Sequence, residues 1–240
     1  RLFRSIYDIV SEPFDLSNTQ LLIHRYKDDR KRDDAWLYLG FQRRVRRLAT
    51  GQVTDSFLGA DPAIEDFEGY NGRISDYDWK YEGTGNYMLP YYRHNEMELA
   101  TDLPPEPDGY QYVDYEGFGS CFPKIAWQLR KVYKLFGTPR DPSHPVGRRE
   151  MYVDVQTFKI GRTVVFDRND QVWRSFTIGS AHPDHHLPIN KGKGLGIDDA
   201  FMMLNVQTQH CTTGQFKGIV DPTINPPSLF TVQNLRKSGR

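Results

Sequence analysis

Hydrophobic and polar positions alternate along several short stretches of this chain, with the period of two that is typical of half-buried β-strands. In TQLLIHRYK, residues 19–27, Leu22, His24 and Tyr26 share one face. The runs AWLYL and RRVRRL follow a polar turn, so this part of the chain predicts a three-stranded meander. At the amino terminus, RLFRSIYDIV spaces its apolar residues as a short helix would.

A second meander is predicted for residues 151–178, where turns rich in Asp and Asn separate three β-rich runs. AWQLRKVYKLF, residues 126–136, fits both strand and helix, and the lack of a clear cap favours a strand. AFMMLNVQTQHCT, residues 200–212, predicts one further strand. In residues 59–72, Asp61 is placed to cap a short helix with Pro62 at its first position. ISDYDWKYEG then returns as a strand.

These elements add up to about nine to eleven strands with few helices. They predict a mainly β protein with a strongly bent antiparallel sheet or open barrel. A length of 240 residues can bury one large core, so we expect a single domain over residues 1–240.

Aromatic residues supply much of the apolar surface, because only 38% of the chain is hydrophobic while it contains 14 Tyr, 14 Phe and 4 Trp. A bent sheet lined by aromatics either fills its concave face or leaves it open to an apolar ligand. An ordinary aromatic core is the competing interpretation. The candidate cavity residues are Trp36, Tyr38, Trp79, Trp127, Tyr133, Tyr152, Phe166, Trp173 and Phe176.

Charge is balanced overall, with 31 basic and 31 acidic residues, which argues against a sequence-independent nucleic-acid binder. The two signs are nevertheless segregated between a basic segment, residues 25–48, and an acidic segment, residues 55–78. A basic hairpin beside an acidic loop is the favoured interpretation, and a patch for phosphate or phospholipid headgroups is the alternative. The candidate charge cluster contains Arg43, Arg44, Arg46, Arg47, Asp61, Glu65, Asp66, Asp76 and Asp78.

The motifs that could carry chemistry are weak. AHPDHH gathers His182, Asp184, His185 and His186, but its spacing fits no zinc signature, which favours a solvated loop. DRNDQ lacks the rest of a calcium loop, and GKGLG, residues 192–196, lacks the ending of a phosphate-binding loop. We therefore expect no enzyme, no metal and no cofactor.

No apolar run approaches the roughly 18 residues that span a bilayer, so we expect no transmembrane helix. The sequence starts at Arg1 without a methionine, which indicates a mature or truncated product lacking part of the native amino terminus. Cys121 and Cys211 are compatible with one disulfide or with two buried thiols.

Four blocks carry a family resemblance: YKDDRKRDDAWLYLGFQRRVRRL, DSFLGADPAIEDFEGYNGRISDYDWK, REMYVDVQTFKIGRTVVFDRNDQVWR and the terminal FTVQNLRKSGR. Together they resemble the proteobacterial family known as domain of unknown function 1329, whose members are often labelled outer-membrane lipoprotein-sorting proteins. The resemblance covers almost the whole chain and is weakest between Tyr87 and Gly119. The family has no agreed catalytic residues to carry over.

The resemblance implies a half-open antiparallel barrel like that of the periplasmic lipoprotein carriers, with short helices or loops over its mouth. It also implies export in a Gram-negative bacterium, which makes a Cys121–Cys211 disulfide more plausible. We therefore expect a non-catalytic periplasmic carrier for a lipid or other hydrophobic molecule, with outer-membrane or export-pump proteins as further partners. The alternatives are an outer-membrane assembly or interaction module with a packed interior and, least favoured, a metal-dependent hydrolase using His182–His186.

The basic strand belongs to the family pattern, which matches Trp36, Tyr38 and the run RRVRRL. Alternation sends Arg44 and Arg46 to one face and Arg43 and Arg47 to the other, so at least one pair should face inward. A buried arginine needs a carboxylate or phosphate beside it. We expect Arg44 and Arg46 to pair with the acidic segment.

Overall fold

The computed structural model describes residues 1–11, 14–49 and 53–238 and consists mainly of antiparallel strands. This confirms the mainly β class. The strands, numbered β1 to β14, are Leu2–Ile9, Gln20–Tyr26, Asp34–Leu39, Arg44–Arg47, Tyr77–Leu89, Tyr91–Tyr92, Tyr115–Glu116, Phe122–Pro123, Gln128–Pro139, Arg148–Asp154, Ile160–Phe166, Val172–Ala181, Ile197–Asn205 and His210–Gln215. The α-helix α1 is Val232–Ser238. Short 3-10 helices are Phe57–Gly59, Ile64–Gly69, Ile74–Asp76, His94–Glu96, Phe118–Ser120, Pro183–His185, Pro188–Asn190 and Pro227–Leu229.

The described chain divides into two compact units, Arg1–Asp55 with Asp221–Arg240, and Ser56–Val220. The first unit, called the small unit below, holds a four-stranded sheet in the order β1-β2-β3-β4. The second, called the large unit, holds an eight-stranded sheet. The single domain expected from the sequence stays a prediction, because two compact units can still unfold as one.

In the small unit, β2, β3 and β4 form the meander expected from the sequence. β1 corrects the expected helix at residues 1–10, because this segment pairs with β2 over its whole length. Leu22, Tyr38 and Leu235 form the buried core. Leu235 comes from α1, whose first turn is capped where Thr231 Oγ1 accepts a hydrogen bond from the Asn234 amide.

In the large unit, the sheet runs β14-β13-β12-β11-β10-β9-β5, with β6 pairing in parallel to β12. β10, β11 and β12 confirm the second meander, and β9 confirms the strand assignment of residues 126–136. Residues 200–212 were expected to form a single strand, but they contribute to two, β13 and β14. A turn ending at Gln209, which has a positive φ of 53°, reverses the chain between them.

The acidic segment packs on this sheet through the 3-10 helix Ile64–Gly69. The expected cap at Asp61 is wrong, because this helix starts after Ala63 and the Asp61 carboxylate accepts from Thr212 Oγ1 instead. Gly69 ends the helix at a φ of +89°, where a Cβ would lie 2.7 Å from Ile160 Cγ2. Only glycine therefore fits this close approach without strain.

Cys121 and Cys211 form a disulfide that joins the segment after Phe118–Ser120 to β14. Within the described part of the chain, no helix is both long and apolar enough to cross a membrane.

Candidate functional site

The aromatic residues expected to line a cavity lie in several separate places. In the small unit, Trp36 packs against the core that contains Tyr38. In the large unit, Phe176 is buried with Ile178 and Met203. These three aromatics are core residues, as the competing interpretation proposed.

Cationic side chains cover two more of these aromatic rings. The guanidinium of Arg148 lies 3.4 Å from the ring centre of Phe166, and that of Arg174 lies 4.1 Å from Trp173. Such contacts are cation–π interactions, and they occupy ring faces that an apolar ligand would need.

The remaining candidates are spread along the large sheet. Trp79 stacks on Tyr77 with ring centres 5.3 Å apart. Tyr133 and Tyr152 are half-buried, and Trp127 is 42% exposed. The structure therefore does not bring the nine candidates together around one cavity.

A buried ion cluster occupies the face of the large sheet that the acidic segment covers. Arg149 of β10 donates to Glu65 Oε2 at 2.5 Å and to Asp66 Oδ1 at 2.6 Å. Arg174 of β12 donates to Asp66 Oδ2 at 2.7 Å. Tyr77 completes the cluster by donating to Glu65 and accepting from Arg149 Nε. Two positive and two negative side chains balance each other away from water.

Electrostatics hold Glu65 and Arg149 of this cluster in their charged forms. Burial alone would raise the pKa of Glu65, but the charge of Arg149 and contacts with His144 and Arg149 lower it to about 2. Burial works against the charge of Arg149 as well, yet Asp66 and Glu65 raise its pKa well above its ordinary value. This face of the sheet is filled by ion pairs, so it is a packed interior.

The sequence assigned other partners to these carboxylates. Glu65 and Asp66 bind Arg149 and Arg174, which lie on strands far away in the chain, and the expected pairing with Arg44 and Arg46 is replaced by these contacts. The other acidic candidates also have partners inside the large unit: Asp61 contacts His210, Asp76 contacts Arg73 and Asp78 contacts Arg140.

The basic strand β4 exposes all of its arginines, so the inference that one pair faces inward is wrong. Arg43 lies in the preceding turn with a φ of 51°, and only Val45 points a half-buried side chain into the core. Arg47 pairs with Asp34 on the neighbouring strand. Tyr38, Arg43, Val45 and Arg236 line a pocket of about 530 Å³.

The structure places the histidines of the AHPDHH loop in two different environments. The rings of His182 and His185 lie 5.6 Å apart, whereas the side chain of His186 is fully buried beside His94 and Asp199. These last three residues place potential ligand atoms within 4.8 Å of one another, as a metal site requires.

Hydrogen-bond directions argue against a metal at His94, His186 and Asp199. Asn190 Nδ2 lies 3.0 Å from His186 Nδ1 and can only donate to it, which places the proton of the neutral ring on Nε2, facing Asp199 at 3.0 Å. A metal would need that nitrogen unprotonated. Burial would raise the pKa of Asp199, but its interactions with His186 and His94 lower it. His94 hydrogen-bonds to Asp199, whereas His186 Nε2 lies 3.0 Å from that carboxylate without a hydrogen bond of good geometry, so the three side chains form a buried polar cluster.

An apolar pocket of about 610 Å³ lies beside the disulfide of the large unit. Its apolar walls are Phe118, Phe122, Leu204, Val206 and the Cys121–Cys211 bridge, and its polar rim is Gln209 and His210. Phe118 is 89% exposed, Val206 43% and Phe122 42%. None of the nine predicted aromatics lines this pocket.

Local sequence explains why the aromatics of this pocket protrude. Gly117 and Gly119 have positive φ values of 75° and 65°, which lets the chain turn sharply on either side of Phe118. The disulfide then holds this turn against β14. Sequence reasoning missed the pocket, although the run GFGSCFP carried a signal: one phenylalanine between two glycines and a second one next to a cysteine.

The structure resembles solved structures at low sequence identity. A putative outer membrane lipoprotein-sorting protein domain from Vibrio parahaemolyticus matches with a TM-score of 0.64 and 17% identity, over 96% of this chain and 76% of that chain. A DUF1329 family protein from Desulfovibrio piger matches with a TM-score of 0.62 and 16% identity, over 95% and 75% of the two chains.

A third solved structure, the LolA superfamily protein NE2245 from Nitrosomonas europaea, matches with a TM-score of 0.51 and 12% identity, over 95% and 76% of the two chains. These likenesses show the fold, and they fit the half-open antiparallel barrel expected from the sequence.

Sequence comparison gives a relative in Pseudomonas aeruginosa, Uncharacterized protein PA3922, which is 28% identical over 182 residues. The match covers 74% of this chain but only 37% of that protein, so the chain spans well under half of the relative's length. The family model described as Protein of unknown function (DUF1329) matches residues 1–236. Since that match covers nearly all of the 240 residues, the chain belongs to the DUF1329 family.

Proposed function

We propose that this protein is a non-catalytic carrier that binds a lipid or another hydrophobic molecule in the periplasm of a Gram-negative bacterium. The observation that carries the proposal is the apolar pocket beside the disulfide. A phenylalanine left 89% exposed beside further apolar side chains is a surface that a ligand or partner covers.

The dimensions of the pocket suit such a ligand. Its volume of about 610 Å³ falls in the range of roughly 300–1,000 Å³ that is typical of small-molecule sites. Phe118, Leu204 and Val206 can cover an acyl chain, while Gln209 and His210 can bind a polar end group at the rim. The arrangement offers apolar burial and orientation of the ligand.

Two further facts support this function. The solved structures that this chain resembles include proteins described as outer membrane lipoprotein-sorting and as LolA superfamily, which is the basis for proposing a role in lipoprotein sorting or outer-membrane transport. The Cys121–Cys211 disulfide suits the oxidising periplasm, where such bonds persist.

The buried ion cluster favours a second candidate function. Because ion pairs fill the face of the large sheet beneath the acidic segment, this interior has no room for an acyl chain there. A packed interior suits an assembly or interaction module that contacts outer-membrane or export-pump proteins. In that case the apolar pocket would bind a protein side chain instead of a lipid.

Binding of the neutral dye Nile red, whose fluorescence increases in apolar surroundings, tests the carrier proposal. Val206→Asp places a charge in the pocket and should weaken binding about tenfold. Val172→Asp is the matched control, since Val172 is 39% exposed on β12 and does not line the pocket.

Phe118→Ser provides a second variant that leaves the strands intact, and Phe14→Ser is its control, because Phe14 is 96% exposed elsewhere. The proposal predicts that the two pocket variants lose dye binding while the two controls keep it. Absence of saturable binding to the wild-type protein, or equal losses in all four variants, would rule out this pocket as the ligand site.

A further inference from the structure

A second pocket is lined mainly by polar side chains, in contrast to the apolar one. It brings together two sequence motifs for which the sequence suggested no role. The histidine loop contributes His182 and His185, and the glycine-rich loop contributes Gly194 to Gly196. The pocket has a volume of about 430 Å³ and lies entirely within the large unit. The other lining residues are Tyr91, Arg93, Gln128, Arg130, Gln156, Thr157, Ala181, Pro183 and Leu195.

The lining is rich in hydrogen-bond donors. Two arginines, two histidines and two glutamines face the pocket, and its lining contains no Asp or Glu. His182 Nδ1 accepts from the Asp184 amide, so the neutral ring carries its proton on Nε2 and can donate it. The amides of residues 194–196 donate no hydrogen bond to any residue that the structure describes.

The charges around the pocket leave an excess of positive sites. Arg130 is held by Asp154, which lies behind the lining and also accepts from Thr157. Among the described residues, Arg93 forms its ion pair with Glu96, whose side chain is 60% exposed, and water weakens the attraction in such a pair. Lys191 precedes the glycine-rich loop and Lys193 lies within it; both are exposed and form no ion pair with a carboxylate among the described residues.

Arg130 is fixed in a geometry suited to an anion. Its Nε and Nη2 are used by Asp154 and Gln156, and its guanidinium lies 4.9 Å from the ring centre of Tyr91. Asp154 takes the Nε–Nη2 fork of the guanidinium, and Nη1 makes no hydrogen bond to a described residue, so Nη1 can donate a single charge-assisted hydrogen bond to a phosphate oxygen.

We propose that this pocket binds the phosphate group of a ligand, with Arg93, Arg130, His182, His185 and the amides of residues 194–196 as donors. The volume exceeds what a single inorganic ion needs, so the phosphate is part of a larger molecule. That molecule is a soluble phosphate ester or the headgroup of a phospholipid. The proposal stands on a pocket separate from the apolar one and does not require that the proposed carrier function is correct.

Isothermal titration with glycerol 3-phosphate at an ionic strength of about 0.15 M tests the site, and amide NMR shifts locate it. Arg93→Gln should weaken binding about tenfold, as expected for losing a hydrogen bond to a charged group. Arg140→Gln is the matched control: Arg140 is 60% exposed and pairs with the exposed Asp78, as Arg93 at 54% pairs with Glu96.

The double variant His182→Gln with His185→Gln gives an independent test, with His24→Gln as its histidine control, because His24 lies in the small unit and lines neither pocket. The source of the phosphate follows from a second titration with monomeric dihexanoyl phosphatidylglycerol. Tighter binding of that lipid than of glycerol 3-phosphate assigns a lipid headgroup, and equal binding assigns a soluble ester. Absence of saturable binding by both probes, or equal losses in pocket and control variants, would overturn the site.

Discussion

Replacing Arg149 by methionine removes the centre of the buried ion cluster. Arg149 is 1% exposed and is the shared donor to Glu65 and Asp66. Without it, the polar partners left to Glu65 among the described residues are Tyr77 and the nearby His144, while Asp66 keeps Arg174 and the Ala63 amide. Because the variant buries a carboxylate without its counter-charge, we expect the free energy of unfolding to fall by about 3 to 5 kcal/mol.

Urea unfolding followed by circular dichroism measures this loss. Arg148→Met is the matched control, since Arg148 is the adjacent residue on β10, lies on the other face and is partly exposed. We expect the control to lose about 1 kcal/mol or less. Adding Glu65→Gln to Arg149→Met should recover at least about 1 kcal/mol, because the amide needs no counter-charge. A loss no larger than that of Arg148→Met would refute the claim that the cluster stabilises the fold.

Three further predictions concern acid stability, the disulfide and the basic strand. The pKa of Glu65 is lowered from 4.5 to about 2, because the folded state favours the ionised carboxylate. The ionised form therefore stabilises the fold fully above a pH of about 4.5, and this stabilisation is lost as the pH falls through 2. Glu65→Gln should therefore remove about 3 kcal/mol of pH-dependent stability from unfolding curves between those values; an unchanged acid profile would contradict this. Reducing Cys121–Cys211, which closes a loop with a sequence separation of 90, should cost roughly 4 to 5 kcal/mol in the chain-entropy model and lower Nile red affinity; a reduced protein with the same urea midpoint would argue against it. Arg44→Ala and Arg46→Ala remove exposed side chains and should each change stability by about 1 kcal/mol or less, and a larger loss by the same assay would show a hidden partner.

Strand positions were predictable wherever the period of two was long and its turns were clear. The second meander followed from such a pattern, and DRNDQ marked one of its turns correctly. β1 was missed because Leu2, Ile6 and Ile9 fit a helix in isolation, whereas pairing with β2 decides the structure. The residue pattern within β1 does not show that a partner strand is available. The conformation of β1 therefore depends on its pairing with β2, which lies outside the segment.

The ion cluster was not predictable from neighbouring charges. The sequence paired the acidic segment with the basic run that precedes it, but the partners Arg149 and Arg174 lie 84 and 108 residues from Glu65 and Asp66. One signal was present: alternation places Arg149 on the same face as Met151, and Arg174 on the same face as Phe176. An arginine on the buried face of a strand requires a carboxylate, although the sequence alone does not say which one.

We propose that this protein carries a hydrophobic ligand in the pocket formed by Phe118, Phe122, Leu204 and Val206. Native mass spectrometry of the protein, purified from a Gram-negative periplasm and then incubated with membrane lipids of that host, tests it most directly. We expect a bound mass that is recovered as lipid by solvent extraction, and that is lost in Val206→Asp but kept in Val172→Asp. Detection of only the ligand-free protein under conditions that preserve complexes, together with no lipid in the solvent extract, would contradict the proposed ligand binding.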